Sequence, residues 1–351
     1  MSKLLLFADP HVHAHRNSQD RLKDCLEAFD WVFQVARDNG VKDVVCLGDL
    51  FHDRQKIQVY TYFQVYETIR RYPDINVTLL LGNHDLWFYE RLDVSSVHPF
   101  GSLPNVTVID RPCARRVGDL DIDFLPFTHN PIECIQDNFP TRSRVMCGHI
   151  ALDGANLNLR HNVRAEVSVE IDNDIVKVDR AALAGWDRVF LGHYHGAQKL
   201  GHVEYVGSLL QLSFGEAMQQ KHVILLNADT LETEYVVNDF SPKHYVLSAS
   251  EVAKYDLSNA FVRVEVEDIG AADLVDLKED LRANNVLRLL EFTEVKTPKE
   301  VGPDEGAVDK FNLVDGDILE RFVKVKGPNG LDEGELLALG RQLAVESNQG
   351  K

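Results

Sequence analysis

Side chains that bind metal ions well follow five short apolar runs of the sequence. In chain order they are Asp9, His11, Asp49, Asn83, His149, His193 and His195. Carboxylate and amide oxygens are hard donors and imidazole is an intermediate one, a mixture that suits pairs of manganese, iron or zinc ions. Cysteine is absent from the set, which argues against a structural zinc site. Because a pair of divalent ions can activate water and hold the attacking and leaving oxygens in line, the pattern predicts phosphoester cleavage.

Parallel strands of an α/β sheet are predicted to position the first of these residues. Lys3–Ala8, Asp43–Leu47 and Asn76–Leu81 have the composition of buried strands, and Asp20–Asp38 and Gln58–Arg71 have the apolar spacing of helices. This order predicts parallel strands with helices between them. Open α/β sheets gather ligands at the carboxyl ends of their strands, which is where the metal-competent side chains lie.

Strands are predicted more densely between about residues 105 and 240. The predicted strands there are Val106–Ile109, Ile122–Leu125, Arg144–Cys147, Arg188–Leu191, Val203–Val206, Val223–Leu226 and Glu234–Val237. This mixture predicts an α/β (α+β) fold in which two mixed β-sheets stack face to face and helices flank them.

A smaller domain is predicted after Ser241-Pro242-Lys243. Ala260–Glu267 and Leu287–Val295 read as strands, and Ala271–Asn284 reads as the helix between them. Two short amphipathic stretches near the end of the chain read as helices. The predicted division is a main domain at 1–240, a small β-α-β domain at 243–298, a linker at 299–314 and helices at 315–351.

The bulk composition is that of a globular protein and gives no sign of a membrane protein. The chain has 351 residues, of which 44% are hydrophobic and 26% charged. The apolar start ends at Asp9, before it reaches the roughly seven residues of a signal-peptide core, and no run approaches the roughly 18 apolar residues of a membrane span. We therefore expect a soluble, cytoplasmic protein. The five cysteines are scattered, so no disulfides are expected.

The motif series at residues 9–195 resembles that of the calcineurin-like metallophosphoesterases: D-x-H, G-D, G-N-H-D, G-H and G-H-x-H. Within that family the sequence is most similar to the SbcD-type nucleases of DNA double-strand-break repair, including their bacteriophage counterparts. The similarity continues through Tyr205-Val206-Gly207-Ser208 and Phe214-Gly215-Glu216. The resemblance implies the metallophosphoesterase sandwich and two divalent ions, Mn²⁺ foremost and Mg²⁺ as the alternative. It also implies DNA cleavage, exonucleolytic from 3′ to 5′ on duplex ends and endonucleolytic on single strands.

The resemblance also implies a role for each matching residue. One metal ion would be held by Asp9, His11, Asp49 and His195, and the other by Asp49, Asn83, His149 and His193. Asp49 would then bridge the two ions. His84 would face the scissile phosphate and protonate the leaving oxygen or stabilise the transition state. His52 and Asp85 complete the expected catalytic set, with His52 positioning substrate or stabilising charge.

Two departures from the motifs leave alternatives open. The pair Phe51-His52 favours the nuclease, but Asp53-Arg54 follows, so a phosphatase-like register shifted by one residue is the alternative. In that register an aspartate would orient the catalytic histidine. The family's first motif usually continues to a glycine where this chain has His13. We expect His13 and His15 to face solvent in a loop, and a role as outer-shell or adventitious metal ligands is the alternative.

Aromatic residues predict contacts with other molecules. Trp87, Phe88 and Tyr89 follow the catalytic motif and are expected either to stack on bases or to pack beneath the loop or at a dimer contact. The helix at Gln58–Arg71 carries more aromatic residues than one buried stripe requires. Since the resembling family dimerises through helices near this position, we expect a homodimer.

The net charge and the C-terminal helices predict a partner protein. At −18, the chain lacks the clustered Lys and Arg that normally meet DNA phosphates. The resemblance implies that an SMC-like ATPase supplies part of the DNA grip and that the C-terminal helices hold the base of its coiled coil. Docking of those helices on the chain's own surface is the alternative. A phosphatase or cyclic-nucleotide phosphodiesterase acting on small substrates, and a non-catalytic scaffold, are the rival functions.

Overall fold

Two six-stranded mixed sheets carry the side chains of interest in the computed structural model, which describes residues 2–88, 91–155, 176–266, 275–279, 281 and 289–294. All of these residues belong to one compact unit, Met1–Val295. The first sheet has, in spatial order, β14 (Thr233–Val237), β13 (His222–Asn227), β1 (Lys3–Phe7), β2 (Asp43–Cys46), β3 (Asn76–Leu80) and β6 (Val106–Ile109). Strands β1, β2, β3 and β6 run parallel, and β13 and β14 continue the sheet antiparallel.

The second sheet is also mixed and six-stranded. It has, in spatial order, β11 (Gln198–Leu200), β12 (Val203–Tyr205), β10 (Arg188–Gly192), β9 (Val145–His149), β8 (Leu120–Leu125) and β7 (Cys113–Val117). Its four central strands are parallel and its two edge strands are antiparallel to their neighbours. The predicted pair of stacked mixed sheets is thus confirmed.

Strict alternation along β1 shows how the layers form. Leu4 and Leu6 pack into the core between the sheets, together with Phe124 of the second sheet. Leu5 and Phe7 point the other way, into the core beneath α1 (Gln19–Asp38) and α2 (Val59–Arg70). A third cluster lies on the outer face of the second sheet, against α3 (Pro131–Asn138). Because successive side chains of a strand face opposite sides, one buried strand contributes to two cores.

The first helix begins and ends where local chemistry dictates. The Ser18 hydroxyl caps its N-terminus by accepting the backbone N–H of Arg21 at 3.3 Å. Gly40 follows its end with φ +65°, the left-handed conformation common after a helix. The buried stripe includes Leu22, Phe29 and Phe33. The helix thereby packs against one face of the first sheet.

A small parallel sheet follows the sandwich. It consists of β15 (His244–Ser248), β16 (Phe261–Val266) and β17 (Leu289–Glu294), and residues 275–279 are helical. The predicted strands of the β-α-β unit are present, whereas β15 was not predicted. The domain boundaries at 240 and 243 remain predictions, and the linker at 299–314 and the helices at 315–351 lie outside the described residues.

Several short elements in the sandwich were also missed by the sequence patterns. They include the hairpin of β4 (Leu86–Phe88) and β5 (Arg91–Ser95), the edge strands β7 and β11, and α3. Short edge elements expose one face and one side, so their apolar signal is weak. In the part of the chain that the structure describes, no helix combines the length and apolarity needed to cross a membrane.

Candidate metal centre

The seven predicted ligands come together where strands of the two sheets end. The ligand atoms of Asp9, His11 and His195 lie within 4.8 Å of one another, and so do those of Asp9, Asp49 and His149. Asn83 joins them, because its Oδ1 lies 3.0 Å from His149 Nε2 and 3.2 Å from the Nδ1 of His193. Residues up to 186 positions apart in the sequence, Asp9 and His195, thus form one cluster.

Asp49 lies between the two halves of this cluster. Its Oδ2 is 3.5 Å from His11 Nε2 and 3.4 Å from His149 Nε2. On one side, His11 Nε2 is 3.0 Å from His195 Nε2. A carboxylate shared by two ions must occupy such a position, so the arrangement fits the predicted bridge.

The backbone is strained at four of these residues. The φ angles are 48° at Asp9, 41° at His11, 56° at Asp49 and 96° at His193. Positive φ at a residue other than glycine costs on the order of 1–3 kcal/mol and persists only where surrounding contacts impose it. Such strain clusters at functional sites, and here it coincides with the residues that the motifs single out.

Glycines before the ligands permit the close approach of neighbouring strands. Gly48 has φ +100°, and a Cβ at this position would collide with the Nδ1 of His149. A Cβ at Gly82 would collide with the carboxylate of Asp49. The glycines in the G-D and G-N-H-D motifs are therefore packing requirements of the cluster as well as turn residues.

Asp85 fastens two of the strand-end loops together. Its carboxylate accepts the backbone N–H groups of Asp49 at 2.9 Å, Leu50 at 3.0 Å and Gly82 at 3.0 Å. Burial and, after it, the charge of Asp49 raise the pKa of Asp85 to about 7. The side chain is 1% exposed. These contacts fit a positioning role rather than direct contact with a substrate.

Hydrogen bonds outside the cluster fix which ring nitrogen each histidine turns inward. His149 Nδ1 lies 2.7 Å from the carbonyl of Leu47, and His195 Nδ1 lies 3.0 Å from a carboxylate oxygen of Glu216. Carbonyl and carboxylate oxygens only accept, so Nδ1–H must donate. When the rings are neutral, their Nε2 lone pairs then face the cluster, as in the outer shell of a metal-binding histidine.

Charge interactions shift the titration of the cluster in opposite directions. Burial, and then the charge of Asp49, raise the pKa of Asp9 to about 6, whereas His149 and His195 lower it. Burial alone would lower the pKa of His149, but the carboxylate of Asp49 raises it to about 9. Burial and the neighbouring His149 lower the pKa of His193 to about 3. Carboxylates and inward-facing imidazoles crowded in this way suit divalent cations, which accept both kinds of donor.

The part of the chain that carries most of the cluster matches a known protein family. Residues 2–199 match the family described as calcineurin-like phosphoesterase. The chain belongs to this family. Its members use divalent metal ions, which agrees with the donor set of the cluster.

Relatives within the family resemble different lengths of the chain. "Exonuclease subunit 1" of Enterobacteria phage T4 is 24% identical over 357 residues, which cover 99% of this chain and 100% of the relative. An SbcCD nuclease subunit from Staphylococcus saprophyticus is 24% identical over 62% of this chain and 64% of its own length. "DNA double-strand break repair protein Mre11" of Haloferax volcanii is 29% identical over 36% of this chain and 32% of its own length.

His84 of the family's G-N-H-D motif lies at the edge of the cluster. Its backbone N–H donates to Asp49 Oδ1 at 2.8 Å, and its ring meets that of His11 edge-on, with centroids 4.8 Å apart. Its Nδ1 donates to the backbone carbonyl of His52 at 2.6 Å. The ring is half-buried, so its Nε2 is left as the nitrogen available to a bound molecule.

The loop after β2 places Asp53 and His52 differently with respect to His84. Asp53 does not orient His84, because its Oδ2 pairs with His13 Nε2 at 3.0 Å. The ring of His52 stacks on that of His84, with centroids 5.7 Å apart and planes inclined by 13°. The group that orients the His84 ring is therefore the His52 carbonyl, which accepts from its Nδ1.

His13 and His15 differ from the expectation that they face solvent. Both are half-buried, and their rings pack against that of His52 with centroid distances of 5.4 and 4.8 Å. The reason is a pairing of loops that the sequence did not reveal, since Val12 bridges Phe51. The two histidines thus form a wall beside the cluster rather than part of it.

The aromatic residues predicted to contact other molecules divide into two groups. Trp87 and Phe88 are 47% and 40% exposed, and the guanidinium of Arg91 covers the Phe88 ring at 4.5 Å. Tyr89 lies outside the described residues. On α2, Tyr60 and Phe63 are exposed, whereas the other aromatic residues of the helix, Tyr62 and Tyr66, pack against Phe100.

Proposed function

We propose that this chain is a metal-dependent DNA nuclease that hydrolyses phosphodiester bonds in DNA end processing, recombination and repair. The observation that carries the proposal is the position of His84, an accessible imidazole held beside a cluster of buried carboxylates and histidines. The substrate class is supported by the T4 relative, named an exonuclease subunit, whose whole length is matched.

Two divalent ions would occupy the cluster. Asp9, His11, Asp49 and His195 would hold one ion, and Asp49, Asn83, His149 and His193 the other. We propose Mn²⁺ as the ion, because the cluster contains four imidazoles and Mn²⁺ accepts imidazole ligands more readily than Mg²⁺ does. Mg²⁺ prefers oxygen ligands and retained waters. When bound, such a pair activates a water molecule and stabilises charge on the phosphate oxygens.

His84 would act on the leaving group, and His52 and Asp85 would assist it. With Nδ1–H held by the His52 carbonyl, His84 can present Nε2 to the leaving oxygen and protonate it or stabilise the developing charge. The His52 side chain, stacked on His84, would position the substrate. Asp85 would act through the backbone by fixing the loop that carries Asp49 and the turn that carries His84.

Trp87 and Phe88 would contact the DNA bases. Two exposed aromatic rings directly after the catalytic turn form a surface on which unpaired bases can stack. Tyr89, which lies outside the described residues, is proposed as a third base-contacting residue. This hairpin would be of no use to a phosphatase acting on a small ester, and it would favour single-stranded or frayed DNA.

A partner is proposed because this chain is acidic and its relatives are named as subunits. An SMC-like ATPase bound by the helices at 315–351 would supply much of the DNA grip, and two copies of the chain would pair through exposed residues of α2. The small domain at 243–298 would cap the DNA entrance. Cleavage from 3′ to 5′ on duplex ends, endonuclease activity on single strands and a cytoplasmic location complete the proposal.

The substrate class can be tested by assaying plasmid DNA, end-labelled duplex DNA and a p-nitrophenyl phosphodiester in parallel with Mn²⁺. We expect DNA cleavage that a chelator abolishes. Robust ester turnover with intact DNA would overturn the nuclease in favour of an enzyme for small substrates. His84→Ala should lose this cleavage, and His202→Ala is its control. His202 is a half-buried histidine that bonds the Leu183 carbonyl at 3.0 Å, outside the cluster.

The partner can be tested by removing the residues after 306. The shortened chain should lose co-purification with the ATPase while its Mn²⁺-dependent nuclease activity remains. Loss of folding would instead indicate that the C-terminal helices dock on the chain itself.

A further inference from the structure

A buried ionic network lies directly behind one of the proposed ligands. It consists of Glu216, Lys221 and Ser208, which are 5%, 4% and 0% exposed. None of the three belongs to the predicted set of site residues. Buried charges are rare unless they are paired, and even a paired buried charge costs desolvation free energy. The network therefore calls for a reason beyond stability.

Lys221 holds one side of the Glu216 carboxylate. Its Nζ lies 2.7 Å from Glu216 Oε2 and donates to Ser208 Oγ at 2.9 Å and to the His195 carbonyl at 2.8 Å. These partners can use all three ammonium hydrogens.

The other carboxylate oxygen faces the ring of His195. Glu216 Oε1 is 3.0 Å from His195 Nδ1, and the Nε2 of the same ring is 3.0 Å from His11 Nε2. A carboxylate without a proton can only accept, so the proton of the neutral ring must lie on Nδ1. The Nε2 lone pair is thereby directed at the half of the cluster that contains Asp9 and His11.

The network is also built into the strand ends that carry the cluster. Ser208 forms a bridge with Ala8, the residue before Asp9, and Lys221 directly precedes β13, the neighbour of β1. Glu216 ends a short 3₁₀ helix, Phe214–Glu216, whose start is capped by the Ser213 hydroxyl. The carboxylate is therefore placed relative to Asp9 by backbone as well as by side-chain contacts.

The two halves of the cluster differ in this respect. The ring of His149 is oriented by the backbone carbonyl of Leu47, whereas that of His195 is oriented by a full negative charge. The ring of His195 is also the more exposed of the two, because its side chain is 31% exposed and that of His149 is 0% exposed. An exposed imidazole has more freedom to rotate, so it needs the stronger anchor.

We propose that Glu216 is a positioning residue that fixes the orientation and tautomer of His195, and so sets the affinity of the metal site formed by Asp9, His11, Asp49 and His195. Lys221 and Ser208 hold the carboxylate in place for this task. The inference rests on the proposed two-metal function. It requires that loss of Glu216 weakens one site and leaves the other unchanged.

The test is a calorimetric titration of the full chain with Mn²⁺, paired with thermal unfolding of the metal-free protein. In Glu216→Gln, the single amide oxygen cannot satisfy donors on both sides. We expect one Mn²⁺ affinity to fall by roughly 10- to 100-fold, the usual effect of losing such an outer partner. The second affinity should stay unchanged, and raised Mn²⁺ concentrations should restore cleavage.

Glu204→Gln is the matched control. Glu204 is a buried carboxylate of the second sheet whose hydrogen bonds go to Arg188 at 2.8 Å and Tyr235 at 2.6 Å, away from the cluster. The variant should lower the unfolding temperature and leave both Mn²⁺ affinities unchanged. If Glu216→Gln does not fold, the double variant Glu216→Gln with Lys221→Met removes both charges and should show the same loss at one site.

Three results would overturn the inference. Unchanged Mn²⁺ affinities in the Glu216 variant would remove the positioning role and leave the proposed nuclease intact. Equal losses in the Glu216 and Glu204 variants would show a general effect of destabilisation. A wild-type chain that binds no Mn²⁺ would overturn both the inference and the two-metal function.

Discussion

The buried cluster and the hairpin of β4 and β5, which begins three residues after Asn83, are built in opposite ways. In the cluster, Asp9, Asp49 and His149 are at most 1% exposed, and each is held by several polar contacts. In the hairpin, Trp87 and Phe88 expose 47% and 40% of their surface. In this chain the side chains that need accurate geometry lie on buried strand ends, whereas those proposed to meet DNA bases are exposed.

The strongest test of this contrast is Asp49→Asn. We expect DNA and ester cleavage to fall together by more than about 100-fold. A metal pair lowers the activation free energy by several kcal/mol, and this effect depends on the carboxylate of Asp49. Wild-type protein at 100 times the dissociation constant of Mn²⁺ should gain about 2.7 kcal/mol of unfolding free energy, and the variant should lose most of this gain. Thermal unfolding with and without a chelator measures it. If Asp49→Asn keeps full activity, the buried cluster is not the part of the molecule that carries the chemistry.

Gly48→Ala tests the packing of the cluster. The added Cβ meets both a positive φ and the imidazole of His149, so we expect a loss of more than about 2 kcal/mol together with weaker Mn²⁺ binding. Gly40→Ala is the matched control, since Gly40 also has a positive φ but nothing within 4 Å of its added Cβ. It should cost only about 1–2 kcal/mol and leave Mn²⁺ binding unchanged. Denaturant unfolding and calorimetry would check both expectations.

Asp85→Asn tests the link between the loops. The amide would turn a donor toward backbone N–H groups that now donate to the carboxylate, at a cost of about 1–3 kcal/mol in unfolding free energy. We expect slower cleavage as well, because the turn that carries His84 loses its anchor. Asp123→Asn, at a buried aspartate that bonds Ser143 and Trp186, should match the loss of stability without slowing cleavage. An equal effect on cleavage would argue against a positioning role for Asp85.

Trp87→Ala and Phe88→Ala should give the smallest effects and sharpen the contrast most. Loss of a stacked base costs about 1–3 kcal/mol of binding free energy, so single-stranded DNA should bind more weakly while ester turnover stays unchanged. Fluorescence anisotropy with a labelled oligonucleotide measures this. Val94→Ala, at an exposed position of β5, is the control. If ester turnover falls as much as DNA binding does, the hairpin supports the structure of the cluster and does not bind the substrate.

The core of the fold was predictable because buried strands and helices show a regular spacing of apolar residues in the sequence. β1, β2, β3 and α1 have unbroken apolar patterns, and their boundaries agree with the predictions to within one residue. The side chains after these strands could be singled out because they lie at the carboxyl ends of a parallel sheet. Chain order alone therefore indicated which residues would meet.

The features that were missed depend on contacts between distant segments. The half-buried position of His13 follows from its pairing with Asp53 and from the bridge between Val12 and Phe51. Likewise, Glu216 reads as an ordinary charged residue until Lys221 and His195 are placed against it. No local pattern encodes such pairings. The F-G-E triplet within the family resemblance was the one available signal for Glu216.

The role of His84 is the most direct test of the proposed function. Wild-type protein and His84→Ala should be compared on end-labelled duplex DNA with Mn²⁺, and the metal bound by each should be measured by calorimetry. We predict that the variant binds both ions as tightly as the wild type and cleaves about 10²- to 10⁴-fold more slowly, the usual contribution of a general acid. Unchanged cleavage by the variant, or intact DNA with metal-loaded wild-type protein, would contradict the proposal.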